Sequence, residues 1–145
     1  MAEMFPTKIL LATDGSENAV RAARTAVELA NKTGSELHVV HVAEAPHIFF
    51  AYTELDPARA EREARKTLDD EVRRIEGEGG TVTEKHLRLG PAEENIVNLA
   101  EQMGAGLIVL GSRGLSTLRR AVMGGVSESV VRHAHCPVMV VRPEQ

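Results

Sequence analysis

The stretch KILLATDGSENAVRAARTAVELANKTG, Lys8 to Gly34, holds a strand, a turn and a helix in 27 residues. Its first six residues, Lys8 to Thr13, are an apolar run too short for a helix and meet Asp14, Gly15 and Ser16 at once, which reads as a buried strand ending in a tight turn. Ser16 is placed to cap a helix reaching about Lys32, with Ala19, Ala22, Ala23, Ala26, Val27 and Ala30 on its apolar face; Gly34 then ends it.

Strands and helices go on alternating down the chain. ELHVVHVAEA, Glu36 to Ala45, is a second β-branched strand, and a loop through Pro46, Phe49 and Tyr52 leads to Asp56-Pro57, an N-cap followed by proline at the first helical position. The helix to about Gly77 places Ala60, Ala64, Leu68, Val72 and Ile75 on one stripe. Its other face carries the i,i+4 charge pairs Glu61/Arg65, Asp69/Arg73 and Asp70/Arg74, a solvated surface. TVTEKHLRL, Thr81 to Leu89, is a third strand, and Gly90-Pro91 opens a helix carrying Ile96, Val97, Ala100 and Met103. After Gly104 comes the strand LIVL, then GSRGLSTLRRAVMGGVSES, Gly111 to Ser129, a short helix from about Val126 to His133, and the strand of CPVMVVR. Regular β-α alternation with short apolar strands predicts an open parallel α/β sheet covered by helices on both faces. Neither a repeat nor a linker divides the 145 residues, so a single domain over 1–145 is expected.

Composition narrows the function. Hydrophobic residues at 43% and charged residues at 26% fit an ordinary soluble fold and leave no apolar run near the roughly 20 residues of a spanning helix. The leading MAEMFPTK lacks a basic and then apolar pattern, and Cys136 is the sole cysteine, so a cytoplasmic protein without internal disulfides is expected. A net charge of −4 argues against a dedicated nucleic-acid binder.

Two loops carry unusual chemistry: ATDGSEN after the first strand and GSRG after the fourth. Ligands of open α/β sheets bind outside the carboxyl ends of the strands, where strand order reverses. Gly111 and Gly114 permit close backbone approach, and Gly124 and Gly125 precede a helix whose unpaired N–H groups and dipole favour phosphate. Ser112, Ser127, Ser129 and Arg113 add hydroxyls and charge. The competing reading, that these glycines serve turns and caps alone, stays open on the residues themselves. Asp14 likewise suits either a ribose hydroxyl or a phosphate-bound metal ion, or a turn carboxylate beside the next helix.

The spacing Gly111-x2-Gly114-x9-Gly124 ahead of HCPVMVVR, together with KILLATDGSENA, VVHV and LGPAEENIVNLAE, resembles the nucleotide-binding signature of the universal stress protein family over nearly the whole chain. The resemblance implies a five-stranded, Rossmann-like parallel sheet of order 3-2-1-4-5 and, in the ATP-binding branch, ATP with Mg2+ held through its phosphates. It assigns Ala12, Thr13 and Asp14 to the nucleoside side and the backbone of Val42 to the adenine edge. Gly111, Arg113 and Gly114 would wrap ribose and phosphate, and Gly124, Gly125, Val126 and Ser127 would take the phosphate tail. The chain departs from the pattern at Gly125, where relatives carry Ser or Thr, and at Gly106, where an aspartate is common. The final strand falls at an edge in that order, and an apolar edge needs covering, so a homodimer through Val138 to Arg142 is expected, as relatives form.

The implied function is an ATP-binding stress-response regulator acting through nucleotide occupancy and contacts with a protein partner. Without a Walker lysine or a base beside a placed water, hydrolysis is expected to be slow at most. The alternative is a dimerisation or interaction module that no longer holds nucleotide, with Gly125 as the feature in its favour. Other readings fit less well. A flavodoxin would want a phosphate loop after strand one and aromatic walls, and aromatics are only 3% with no Trp. ATDGSENA resembles no adenylate-forming loop, and a receiver's phosphoacceptor and lysine do not appear. His133, His135 and Cys136 lack a second ligand cluster for zinc. His38 and His41 point to opposite sides of their strand. Cys136 reads as an inert thiol, and Phe49, Phe50 and Tyr52 either cover a base or close the core.

Overall fold

The computed structural model describes residues 3–43, 57–112 and 125–143. Among these residues nine elements alternate: β1 (Lys8–Thr13), α1 (Asn18–Thr33), β2 (Glu36–Ala43), α2 (Pro57–Gly77), β3 (Val82–Leu89), α3 (Ala92–Met103), β4 (Leu107–Gly111), α4 (Gly125–His133) and β5 (Val138–Val141). The strands form one sheet of order β3-β2-β1-β4-β5, and every pairing is parallel. The expected fold is therefore observed.

Because side chains alternate across a strand, the three central strands must be apolar on both sides. Ile9, Leu11, Leu37, Val39, Leu107 and Val109 face α1 and α2, packing with Ala22, Ala26, Leu68, Val72 and Ile75. Leu10, Ala12, Val40, Ile108 and Leu110 face α3 and α4, packing with Ile96, Leu99, Ala100 and Val130. Leu10 and Ile108 have no exposed surface, so truncating either to alanine costs about 2–5 kcal/mol. The alanine face of α1 presents no long side chains, which lets that helix lie close over the sheet's centre. Among the described residues no helix is long and apolar enough to cross a membrane.

Local details depart from the sequence reading where tertiary contacts compete. Ser16 does not cap α1: the position before the helix is Glu17, already helical in conformation and without a side-chain cap bond. The Ser16 N–H instead donates to Asp14 Oδ1 at 2.9 Å, so the loop closes on the aspartate. On α2 the charges choose partners other than the three expected pairs, although Arg59–Glu63 and Lys66–Asp70 keep the i,i+4 spacing. Asp70 takes Lys66 and Arg73, Asp69 reaches across to Lys85 on β3, and Arg74 pairs with Glu71. Glu71 is buried, 5% exposed, and so belongs to the packed side of the helix rather than to its solvated face.

The candidate site at the carboxyl ends of β1 and β4

Strand order reverses between β1 and β4. From β1 the chain proceeds through β2 and β3 on one side and through β4 and β5 on the other. Leu11 lies opposite Val109, so two residues later Thr13 and Gly111 end neighbouring strands. The loops that follow both open at this one edge.

Ala12 and Thr13 are buried at the end of β1, and Asp14 is half-buried just beyond. The loop is held by its own side chains: Thr13 Oγ1 accepts the Gly15 N–H at 3.2 Å, and Asp14 Oδ1 accepts that of Ser16. Gly15 sits at φ +79°, a conformation that L side chains rarely adopt. Ser16 Oγ is buried without a hydrogen-bond partner among the described residues, an orphaned hydroxyl beside the cleft.

Across from this loop, β2 supplies two residues. His41 Nδ1 lies 3.1 Å from the Thr13 carbonyl, which can only accept, so the Nδ1–H donates and ties the last residue of β1 to β2. This histidine was read from sequence only as unable to pair with His38, and its positioning contact depends on register. Val42 is buried. The Ala43 carbonyl accepts from Gly90 on the β3 side, so the peptide groups of Val42 point the other way, past the point where β1 pairing ends at Thr13 and His41.

On the β4 side, the Ser112 N–H donates to the Val141 carbonyl at 3.0 Å, so the peptide after Gly111 is anchored to β5. Ser127 is buried in the first turn of α4, and its hydroxyl donates to the Ser112 carbonyl at 3.5 Å, drawing the start of α4 toward the end of β4. Val126 packs against the apolar layer beneath α4. Gly125 opens α4, one residue earlier than the sequence suggests. Among the described residues a Cβ there meets nothing within 4 Å. Arg113, Gly114 and Gly124 lie outside the described residues, as do Phe49, Phe50 and Tyr52 of the loop after β2.

Two features named in the sequence turn out to serve the scaffold. A Cβ at Gly106 would lie 2.1 Å from Thr7 Oγ1, and the Gly106 N–H donates to the Lys8 carbonyl, so glycine is required where β4 approaches the start of β1. Cys136 is half-buried under α4, and burial pushes its thiol above the ordinary range. It is half-buried rather than fully enclosed.

The comparisons with known proteins bear on this arrangement. The sequence pattern described as the universal stress protein family matches residues 6–142. A universal stress protein of Methanocaldococcus jannaschii is 32% identical over 139 residues, covering 93% of this chain and 81% of that protein. The universal stress protein YxiE of Bacillus subtilis is 32% identical over 146 residues, covering 93% of this chain and 98% of that one. Among solved structures, the hypothetical protein MJ0577 superposes with a TM-score of 0.78 at 28% identity, covering 95% of this chain and 96% of that one. A universal stress protein from Archaeoglobus fulgidus, solved in complex with dAMP, gives 0.70 at 29% identity, covering 93% and 97%. With the same sheet order and a match over nearly its full length, the chain belongs to the universal stress protein family.

Proposed function

We infer that the protein binds an adenine nucleotide, ATP accompanied by Mg2+, at the carboxyl ends of β1 and β4. It acts as a stress-response regulator through nucleotide occupancy and partner contacts, with at most slow hydrolysis. The observation that carries this reading is the adjacency of β1 and β4 at the reversal of strand order, which opens the two polar loops at one edge. The relative solved with dAMP, a protein of the same family and sheet, supports an adenine ligand.

In this reading Ala12, Thr13 and Asp14 line the nucleoside, and the outward peptide groups of Val42 meet the adenine edge. Gly111, Arg113 and Gly114 wrap the ribose and phosphates, and Gly124, Gly125, Val126 and Ser127 receive the phosphate tail at the start of α4. Asp14 fits Mg2+: it is one half-exposed carboxylate, and that ion is commonly held by a single carboxylate, phosphate oxygens and water. When bound, Mg2+ would neutralise phosphate charge. The outer edge of β5, with Met139 exposed, is where a second copy would pair.

Thermal unfolding with Mg-ATP, ADP, AMP and FMN tests the proposal. At a hundredfold excess over the dissociation constant, binding adds about 2.7 kcal/mol and raises the midpoint by roughly 5–11 degrees. A larger rise with ATP than with AMP supports phosphate contacts at α4. Turnover above about 1 per second would instead make the protein an ordinary ATPase. The missing hydroxyl at Gly125 favours the second reading, an interaction module without nucleotide, which predicts no rise with any nucleotide.

A further inference from the structure

At the opposite end of the sheet, β2 and β3 bring together four side chains that the nucleotide reading does not use. Glu36 and His38 are two residues apart on β2, and Glu84 and His86 two apart on β3, so each pair shares one face of its strand. The register places His38 directly opposite Glu84. It does so through a shift just before His38: Leu37 pairs with Val82, and Thr83 is skipped. The residue between the β3 pair, Lys85, turns to the other face and binds Asp69 of α2.

His38 Nδ1 and His86 Nε2 are 3.3 Å apart, and Glu84 Oε1 lies 3.7 Å from each. The ring planes are inclined by only 13° and the centroids are 5.6 Å apart, so the rings meet edge to edge through these two nitrogens. A point equidistant from the three ligand atoms, taken from those separations, lies about 2.1 Å from each, the distance of Zn2+ from imidazole nitrogen and carboxylate oxygen. The second nitrogen of His38, Nε2, lies 3.0 Å from Glu36 Oε1. A carboxylate can only accept, so Nε2 carries a proton, and in the tautomer that bears that proton alone the Nδ1 lone pair faces His86 and Glu84. A carboxylate behind a ligating histidine is the usual orienting contact of zinc sites. His38 is buried, His86 half-buried and Glu84 exposed, so the ligand set is anchored inside and open to solvent on one side.

The geometry points to a transition-metal site, of the Zn2+ class, formed by His38 Nδ1, His86 Nε2 and a Glu84 carboxylate oxygen, with Glu36 as the orienting partner and water as the fourth ligand, the exposed Glu84 carboxylate drawing in by about 0.3 Å to reach tetrahedral spacing. Ligand types, spacing, the Glu36 carboxylate behind His38 and the open side at Glu84 all agree with this class of ion. Mg2+ prefers an all-oxygen octahedron and has no match here. The ligands lie level with His38 to Val40, two to four residues of extended chain or roughly 7–13 Å before Val42, so the ion would be separate from the nucleotide loops and its occupancy is tested independently of the nucleotide reading. Bound there, it would clamp the edge strand β3 to β2. Without metal the same groups form a hydrogen-bonded cluster of histidines and carboxylates, which predicts no metal dependence.

Titration of the full chain, freed of metal with EDTA, decides between the two. Zn2+ competed against a chromophoric chelator should bind at one equivalent, and Co2+ should give the intense visible absorption of a four-coordinate ion, while Mg2+ at the same concentration does neither. Glu84→Gln and His86→Gln, both on the edge strand and expected to fold, should each weaken Zn2+ at least a hundredfold. Glu36→Gln should weaken it about tenfold or more, and the double change His135→Asn/Cys136→Ser should leave it unaltered. The proposal is overturned by the absence of one-equivalent binding at micromolar Zn2+. It is equally overturned by binding that survives both edge-strand variants, or by binding that disappears with His135 and Cys136.

Discussion

A Cβ on Gly15 would lie 2.6 Å from Thr67 Cγ2. The turn that ends β1 is thus seated directly against α2, and the glycine is demanded twice, by the packed methyl and by φ +79°. Gly15→Ala is expected to lower stability by about 1–3 kcal/mol, read from the urea midpoint. Thr67→Ser, which keeps the hydroxyl that binds the Glu63 carbonyl while removing the methyl, should recover only the steric share. Full recovery would mean that the backbone conformation is unstrained, contrary to the geometry.

Gly125 behaves differently. It has ordinary backbone angles and open space where its side chain would be. Gly125→Ser is therefore expected to leave stability nearly unchanged and, if ATP reaches the start of α4, to tighten Mg-ATP by about tenfold through one added hydrogen bond to a charged phosphate. Calorimetric titration with ATP and AMP checks this. Equal affinities of variant and parent for ATP would remove the phosphate tail from α4.

Thr7 stands over Gly106 so closely that a Cβ there would lie 2.1 Å from its Oγ1, which leaves no room for a larger residue. Gly106→Ala should cost about 1–3 kcal/mol by overpacking, and Thr7→Ala in the same chain should return part of it. Additive losses in the double-variant cycle would show that the two positions do not meet.

Glu71 is a buried carboxylate whose partner is Arg74. Arg74→Met leaves that charge without its guanidinium and is expected to destabilise by about 3–5 kcal/mol, whereas Glu71→Leu with Arg74→Met should lie near the parent. Chemical denaturation of the three variants at neutral pH distinguishes the buried pair from an ordinary surface ion pair, for which Arg74→Met would cost less than about 1 kcal/mol.

Burial raises the Cys136 pKa, so at pH 8 the folded protein holds less thiolate than an unperturbed cysteine would. Its reaction with a disulfide reagent should be at least tenfold slower in the native state than in denaturant. The native rate should still climb with pH beyond the ordinary thiol range, because the raised pKa moves the plateau upward. A native rate already level at pH 8 would contradict the shift.

Alternation of short apolar runs with alanine-rich or i,i+4-patterned helices was enough to predict the parallel sheet and its two helical layers. The glycine spacing and the run ATDGSEN pointed to the carboxyl edge. Those signals are local: strand length, helix period and turn chemistry depend on neighbours in sequence. Ser16 does not cap for the opposite reason, because Asp14 takes its N–H and the helix begins two residues beyond it, at Asn18.

Contacts between separate segments followed another rule. Thr7 over Gly106, Thr67 against Gly15, His41 on the Thr13 carbonyl and Glu71 turned into the packed side of α2 all join elements or set a burial that periodicity leaves open. The cluster of His38, Glu84 and His86 is the clearest instance. Every residue was visible in ELH and TEKH, yet a one-residue change of register would send Glu84 and His86 to the other face. The irregular step between Leu37 and His38 sets that register, and such a step is decided by how β3 seats against β2 and α2, a packing energy summed over the assembled sheet rather than carried by any local run of residues.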